Sequence, residues 1–243
     1  MKEDGAAAAG DEGNGSSSGE ATARSGRWLV GAERERDSGR VEAFSDAVIA
    51  IVLTLMSVEL FGLIPADPSA ESLGAALVHE WPAFLAYTIS FLIVGQIWVT
   101  HHNMWRYVER VDQTLVALNL ALLFFVAPIP WTASLLAEYL RGSYDEQVLT
   151  AGIYVGVILG EAVFFNLSWW WAARRGLLDA RMHPDLVRAV SRRYRIGPLL
   201  YLLAFAAVFV NAVLSLALYV LLIGLYIFPG AGDLPSAGRK ARV

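Results

Sequence analysis

Residues 40–61 read "RVEAFSDAVIAIVLTLMSVELF". The run is apolar enough to cross a bilayer, whose hydrocarbon core takes about 20 such residues of helix. Yet it carries Arg40, Glu42, Asp46 and Glu59. An ionisable group within a span costs at least about 2.5–3.5 kcal/mol unless it is paired or wetted. Asp46 therefore caps the helix start against interfacial water or finds partners inside the protein, and position alone leaves both open. At about 100° per residue, Ile51, Thr54, Leu55 and Val58 share one stripe, continued toward the N-terminus by Val48, Ala47, Phe44 and Arg40. Ser45 and Asp46 point roughly 120–140° away, and Glu42 nearly opposite. One face is a column of branched apolar side chains with a single hydroxyl; the other carries small polar and acidic groups.

The rest of the chain supports a membrane protein. Of its 243 residues 56% are hydrophobic and 17% charged, with a mean hydropathy of +0.48; an ordinary soluble domain is nearer 45–50% apolar. The net charge of −4 argues against a nucleic-acid partner, and the lack of cysteine rules out disulfides and thiolate metal sites. Residues 1–26, "MKEDGAAAAGDEGNGSSSGEATARSG", have almost nothing to bury and read as a disordered tail. The first 39 residues hold no apolar run, so no cleavable leader is expected. The expected organisation is a disordered tail over 1–38, a helical membrane domain over 39–230 and a second tail over 231–243.

Further spans are expected at about 75–100, with Pro82 tolerated in its first turns, at about 112–138, kinked at Pro128 and Pro130, and at about 147–173, ending in "WWWAARR". The block Ile196–Phe228 holds 33 residues without a charge. That length suits two short spans joined near Asn211, with one long tilted helix as the competing reading. Six spans place every Lys and Arg except Arg141 on one side, so the positive-inside rule puts both termini in the cytoplasm. Partners for Asp46 then sit at the same level: Trp98, His101 and His102 at the end of the second span, and Asn119 in the third.

These residues resemble a known family. "RVEAFSD" is an Arg-x-x-x-Phe-Ser-Asp motif at the start of the first span. Residues 96–130, "QIWVTHHNMWRYVERVDQTLVALNLALLFFVAPIP", are similar to the segment joining spans two and three in the transmembrane protein 175 type of potassium channel. The resemblance covers roughly residues 38–230. It implies an all-α integral membrane protein with six transmembrane helices per subunit, assembled as a homotetramer around a pore lined by the first helix of each subunit. No TVGYG filter occurs in the chain, as the family implies. The matching positions give Ile51, Leu55 and Val58 as apolar rings and Thr54 as a polar ring. By the same resemblance Arg40, Phe44, Ser45 and Asp46 tie the pore helix to a network with Trp98, His101, His102 and Asn119.

The function so implied is a potassium-selective or weakly selective cation channel with a hydrophobic constriction, in a cell membrane. Potassium ions, the lipid bilayer and three further copies of the chain are its partners; no cofactor beyond the permeant ion is expected. The alternative is a proton- or cation-coupled secondary transporter with Asp46 as relay, although carriers usually show internal repeats and none is visible here. An enzyme is not expected, because no nucleophile elbow, His-rich cluster or nucleotide loop occurs, and no catalytic or metal-binding residue is assigned. His101 and His102 are adjacent and project about 100° apart, so they cannot both ligate one metal from one helix face; one belongs in the network and one at the interface. His79 and His183 read as loop or interface residues, "SWWW" as an interfacial aromatic belt, and the basic 174–195 segment as a loop touching anionic headgroups.

Overall fold

A computed structural model describes residues 38–58, 60–63 and 72–227. Both predicted tails lie almost wholly outside these residues, as does Glu59. The first helix, α1, runs Ser38–Val58, and a 3-10 turn follows over Leu60–Leu63. Then come α2 (Leu73–His79), α3 (Trp81–Trp105), α4 (Gln113–Val126), α5 (Ile129–Tyr139), α6 (Tyr144–Arg174), α7 (Pro184–Ala207) and α8 (Ala212–Ile227). Among the described residues, four stretches are long and apolar enough to cross a membrane: α1, α3, α4 with α5 as one span, and α6.

Local chemistry sets the boundaries. Ser72 caps α2 by accepting the Ala75 N–H, and Pro82 sits in the first turn of α3, where its missing N–H costs nothing. Asp112 caps α4 through the Leu115 N–H at 2.8 Å. The third span breaks at Ala127–Pro128, between α4 and α5, because the rings of Pro128 and Pro130 cannot continue the hydrogen-bond ladder. A capping box of Ser143 and Glu146 starts α6. In the last block the chain turns at Val208–Asn211, and Asn211 Oδ1 caps α8 through the Leu214 N–H at 2.9 Å; the single long helix is excluded.

The basic segment differs from its expected form. From Pro184 onward it is helical and continues unbroken into the apolar half of α7, so only about residues 175–183 form a loop. The three indoles of "SWWW" differ in their surroundings. Only Trp170 faces outward, at 52% exposure and beneath the Arg174 guanidinium. Trp169 donates to Ser191 Oγ on α7 at 2.9 Å, and Trp171 to the Asp112 carboxylate.

Helix α6 is the hub, packed against α4, α5, α7 and α8. In a bilayer the hydrophobic effect gives little drive for helices to associate, so close packing and polar links do. Gly152, Gly156 and Gly160 recur every fourth residue on α6; Gly152 meets Val208, Gly156 meets Phe205, and Gly160 lies so close to Phe125 that no Cβ fits. Tyr219 of α8 donates to the carbonyls of Tyr201 and Val155, and Ser215 to that of Ala204.

The two ends of the bundle are tied separately. At one end the α3–α4 and α6–α7 connections pair, Glu109 N–H to Leu177 O and Asp179 N–H to Tyr107 O, both at 2.9 Å. The cations of both connections thus share an end, as the charge distribution requires. At the other, Arg141 donates to the His79 carbonyl at 2.6 Å and covers the Trp81 ring.

Candidate functional site

Helix α1 has a buried edge and a bare one. Ser45, Ile49, Val52 and Met56 are buried against the rest of the chain. Ile51, Leu55 and Val58 are 57%, 48% and 55% exposed, and Ala43, Phe44, Ala47, Ala50 and Thr54 share that exposure. The stripe computed from helical geometry is therefore the face that α1 turns away from its own chain. Thr54 donates its hydroxyl to the Ile51 carbonyl at 2.8 Å, one residue short of the Ala50 carbonyl that a four-residue back-bond would reach. With its proton so used, the oxygen keeps lone pairs free on the bare face.

The opposite side of α1 is held by side-chain hydrogen bonds. Ser45 Oγ–H donates to the Val41 carbonyl at 2.9 Å and its oxygen accepts from Asn119 Nδ2 at 2.8 Å. Asn119 Oδ1 lies 2.9 Å from His101 Nε2, which also lies 2.8 Å from the donating Nε1–H of Trp105. One imidazole nitrogen cannot donate to the amide oxygen and accept from the indole at once. The His101 tautomer therefore selects between two exclusive bonds, and His101 Nδ1, buried without a partner, holds the proton when Nε2 accepts. Ser45, His101 and Asn119 are all within 1% of full burial. Of the two adjacent histidines, His101 is the one that contacts Asn119 in this buried group.

Asp46 belongs to a second, more open group. It accepts the Trp98 indole N–H at 3.0 Å and stands eight residues inside α1, so it caps nothing. Trp98 stacks on the His102 ring, centroids 5.8 Å apart. His102 Nδ1 approaches Glu42 Oε1 to 2.9 Å without the alignment of a hydrogen bond. Arg40 and Phe44 enter neither group; both are exposed and line a groove with Val111, Asp112 and Leu120.

Sequence reading passed over Glu161. It lies in the middle of α6, 6% exposed, at a cavity of about 30 Å³ lined by Gln96, Thr100, Asn166 and Tyr201 with no basic side chain. The signal was available: a lone carboxyl at the centre of a 31-residue apolar helix.

Comparison with known proteins gives a concordant result. Residues 40–130 match the family model described as endosomal/lysosomal potassium channel TMEM175. A potassium channel of Streptomyces collinus is 40% identical over 206 residues, covering 84% of this chain and 97% of the relative. A potassium channel of Chamaesiphon minutus is 37% identical over 190 residues, covering 77% and 92%. The crystal structure of a lysosomal potassium-selective channel TMEM175 homolog from Chamaesiphon minutus superposes with a TM-score of 0.69 at 33% identity, over 79% of this chain and 97% of that one.

Proposed function

Because this chain belongs to the TMEM175 family of potassium channels, we propose that four copies of it surround a pore lined by α1 and pass potassium ions through an apolar constriction. It is a channel of the membrane and not an enzyme. The observation that carries the pore assignment is the pairing of the two sides of α1. Polar bonds hold one side to α3 and α4, while Ile51, Leu55 and Val58 project from the other. One subunit presents one such stripe, so a closed pore needs several copies, and fourfold closure gives rings of Ile51, Leu55 and Val58 with the Thr54 oxygens between them.

A ring of aliphatic side chains offers an ion nothing in place of its water. Potassium holds its hydration shell less tightly than sodium, so the constriction favours potassium, and dewetting of the same ring closes the path. The Thr54 lone pairs soften that barrier one turn along. The apolar half of α7 and α8 complete six crossings, with both termini on the cytoplasmic side.

Native mass spectrometry or cross-linking in detergent should give a tetramer, and planar bilayers should show unitary potassium currents. A stable monomer that conducts, or turnover-limited flux without unitary steps, would overturn the reading.

A further inference from the structure

We propose that Glu42, Asp46 and His102 form a binding site for a divalent transition-metal ion of the zinc type. The inference is independent of the pore assignment. The ligand atoms of the three residues all lie within 4.8 Å of one another. A tetrahedral zinc ion with bonds of about 2.0–2.2 Å holds its ligands about 3.3 Å apart, which small rotations of these side chains reach. Glu42 and Asp46 are four apart, so they project from one side of α1, and His102 reaches them from α3.

The surroundings favour a metal over a simple ion pair. His102 Nδ1 has almost no solvent contact and no hydrogen bond, although Glu42 Oε1 is only 2.9 Å away. Among the described residues, no hydrogen bond therefore competes with a metal for this nitrogen. Trp98 serves as an outer support, donating to Asp46 Oδ1 and stacking on the His102 ring; such supports fix ligand orientation in metal sites. No Lys or Arg competes for the two carboxylates among the ion pairs of the described residues. Two carboxylates and one imidazole suit zinc, nickel or cobalt, whereas magnesium and calcium take oxygen alone. Three protein ligands leave one tetrahedral position for water.

The test is calorimetric titration of zinc chloride into the full chain, purified in detergent without a polyhistidine tag. One zinc per chain is expected, with magnesium failing to compete. Glu42→Gln and His102→Gln should each weaken binding at least about tenfold, while His79→Gln and His183→Gln leave it unchanged. Absence of binding, or equal binding by both site variants, would overturn the proposal. Should those variants fail to assemble, zinc-edge X-ray absorption of the unaltered protein decides instead. One imidazole among oxygen ligands supports the site, and ligation by oxygen alone or by several imidazoles refutes it.

Discussion

The Asn119 amide of α4 donates to the Ser45 hydroxyl of α1 across 2.8 Å, with both residues out of reach of water and lipid. The bond holds α1 against the bundle at the level where its other edge is bare. Removing Ser45 Oγ by Ser45→Ala strands an amide N–H, at a cost of about 1–3 kcal/mol. Asn119→Ala removes the donor to Ser45 Oγ and the amide oxygen beside His101 Nε2, leaving Ser45 bonded to Val41 and His101 to the Trp105 indole. Because the groups act together, the double variant should lose less than the sum of the single losses. Thermal melting in detergent measures all three; strict additivity would mean that the bond does not couple the helices.

Asp46 separates charge from hydrogen bonding. Asp46→Asn retains an oxygen for the Trp98 indole, while Asp46→Ala does not. Assembly and melting temperature should follow wild type > Asn > Ala, with ion selectivity unchanged in whatever assembles. A variant of normal assembly and altered potassium-to-sodium ratio would place the carboxylate in the conduction path and favour the carrier reading with Asp46 as relay.

The amount of this fold legible in the sequence depended on what each signal measures. Hydropathy located four spans, since length and apolarity are what a bilayer selects. Pro128, Pro130 and Asn211 marked real breaks, because a ring without an N–H and an Asx cap act locally. Helical geometry placed Ile51, Thr54, Leu55 and Val58 on one bare stripe. The extension of α7 back to Pro184 was hidden because a run of charge does not distinguish a loop from a helix that leaves the membrane without ending. Trp169 and Trp171 were hidden for a related reason: composition cannot tell an indole at the lipid interface from one that donates to Ser191 or Asp112. The close approaches at the α6 glycines depend on which helices meet, which a single sequence does not encode.

The α6 glycines should differ in tolerance. A methyl at Gly160 would overlap the Phe125 ring, itself stacked on Phe164 at 5.6 Å, so the ring cannot swing aside freely. Gly160→Ala should cost about 1–3 kcal/mol through overpacking. At Gly156 the added methyl meets Phe205 at an ordinary 3.5 Å, and Gly156→Ala should match or exceed wild-type stability, since alanine is the better helix former. Chemical denaturation in mixed micelles would show the contrast, and equal losses at both positions would contradict the packing.

Glu161 faces a cavity with room for about one water and no basic neighbour. A carboxylate at this depth is unfavourable by at least about 2.5–3.5 kcal/mol. Glu161→Gln keeps the shape and the hydrogen-bonding capacity without the possibility of charge, so melting temperature should hold or rise. A marked fall would show that the acid itself is needed by Gln96, Thr100 or Tyr201.

Ile51 gives the most direct test of the pore. Four sec-butyl groups in a ring offer a passing cation no oxygen, so residence there is unfavourable and wild-type conductance should be small. Ile51→Asn sets four amides in the same ring, able to coordinate a bare cation or hold a hydrated one. Potassium flux should rise while discrimination against sodium falls, because dehydration is eased for both ions. Ile51→Phe should have the opposite effect and reduce flux by filling the constriction. Because the side chain is 57% exposed in the single chain, neither change should disturb the fold, which thermal melting can verify. Flux from liposomes holding equal amounts of each variant is the measurement. If Asn, Phe and wild type conduct alike, the bare stripe of α1 faces lipid, and the path for potassium lies elsewhere in the assembly.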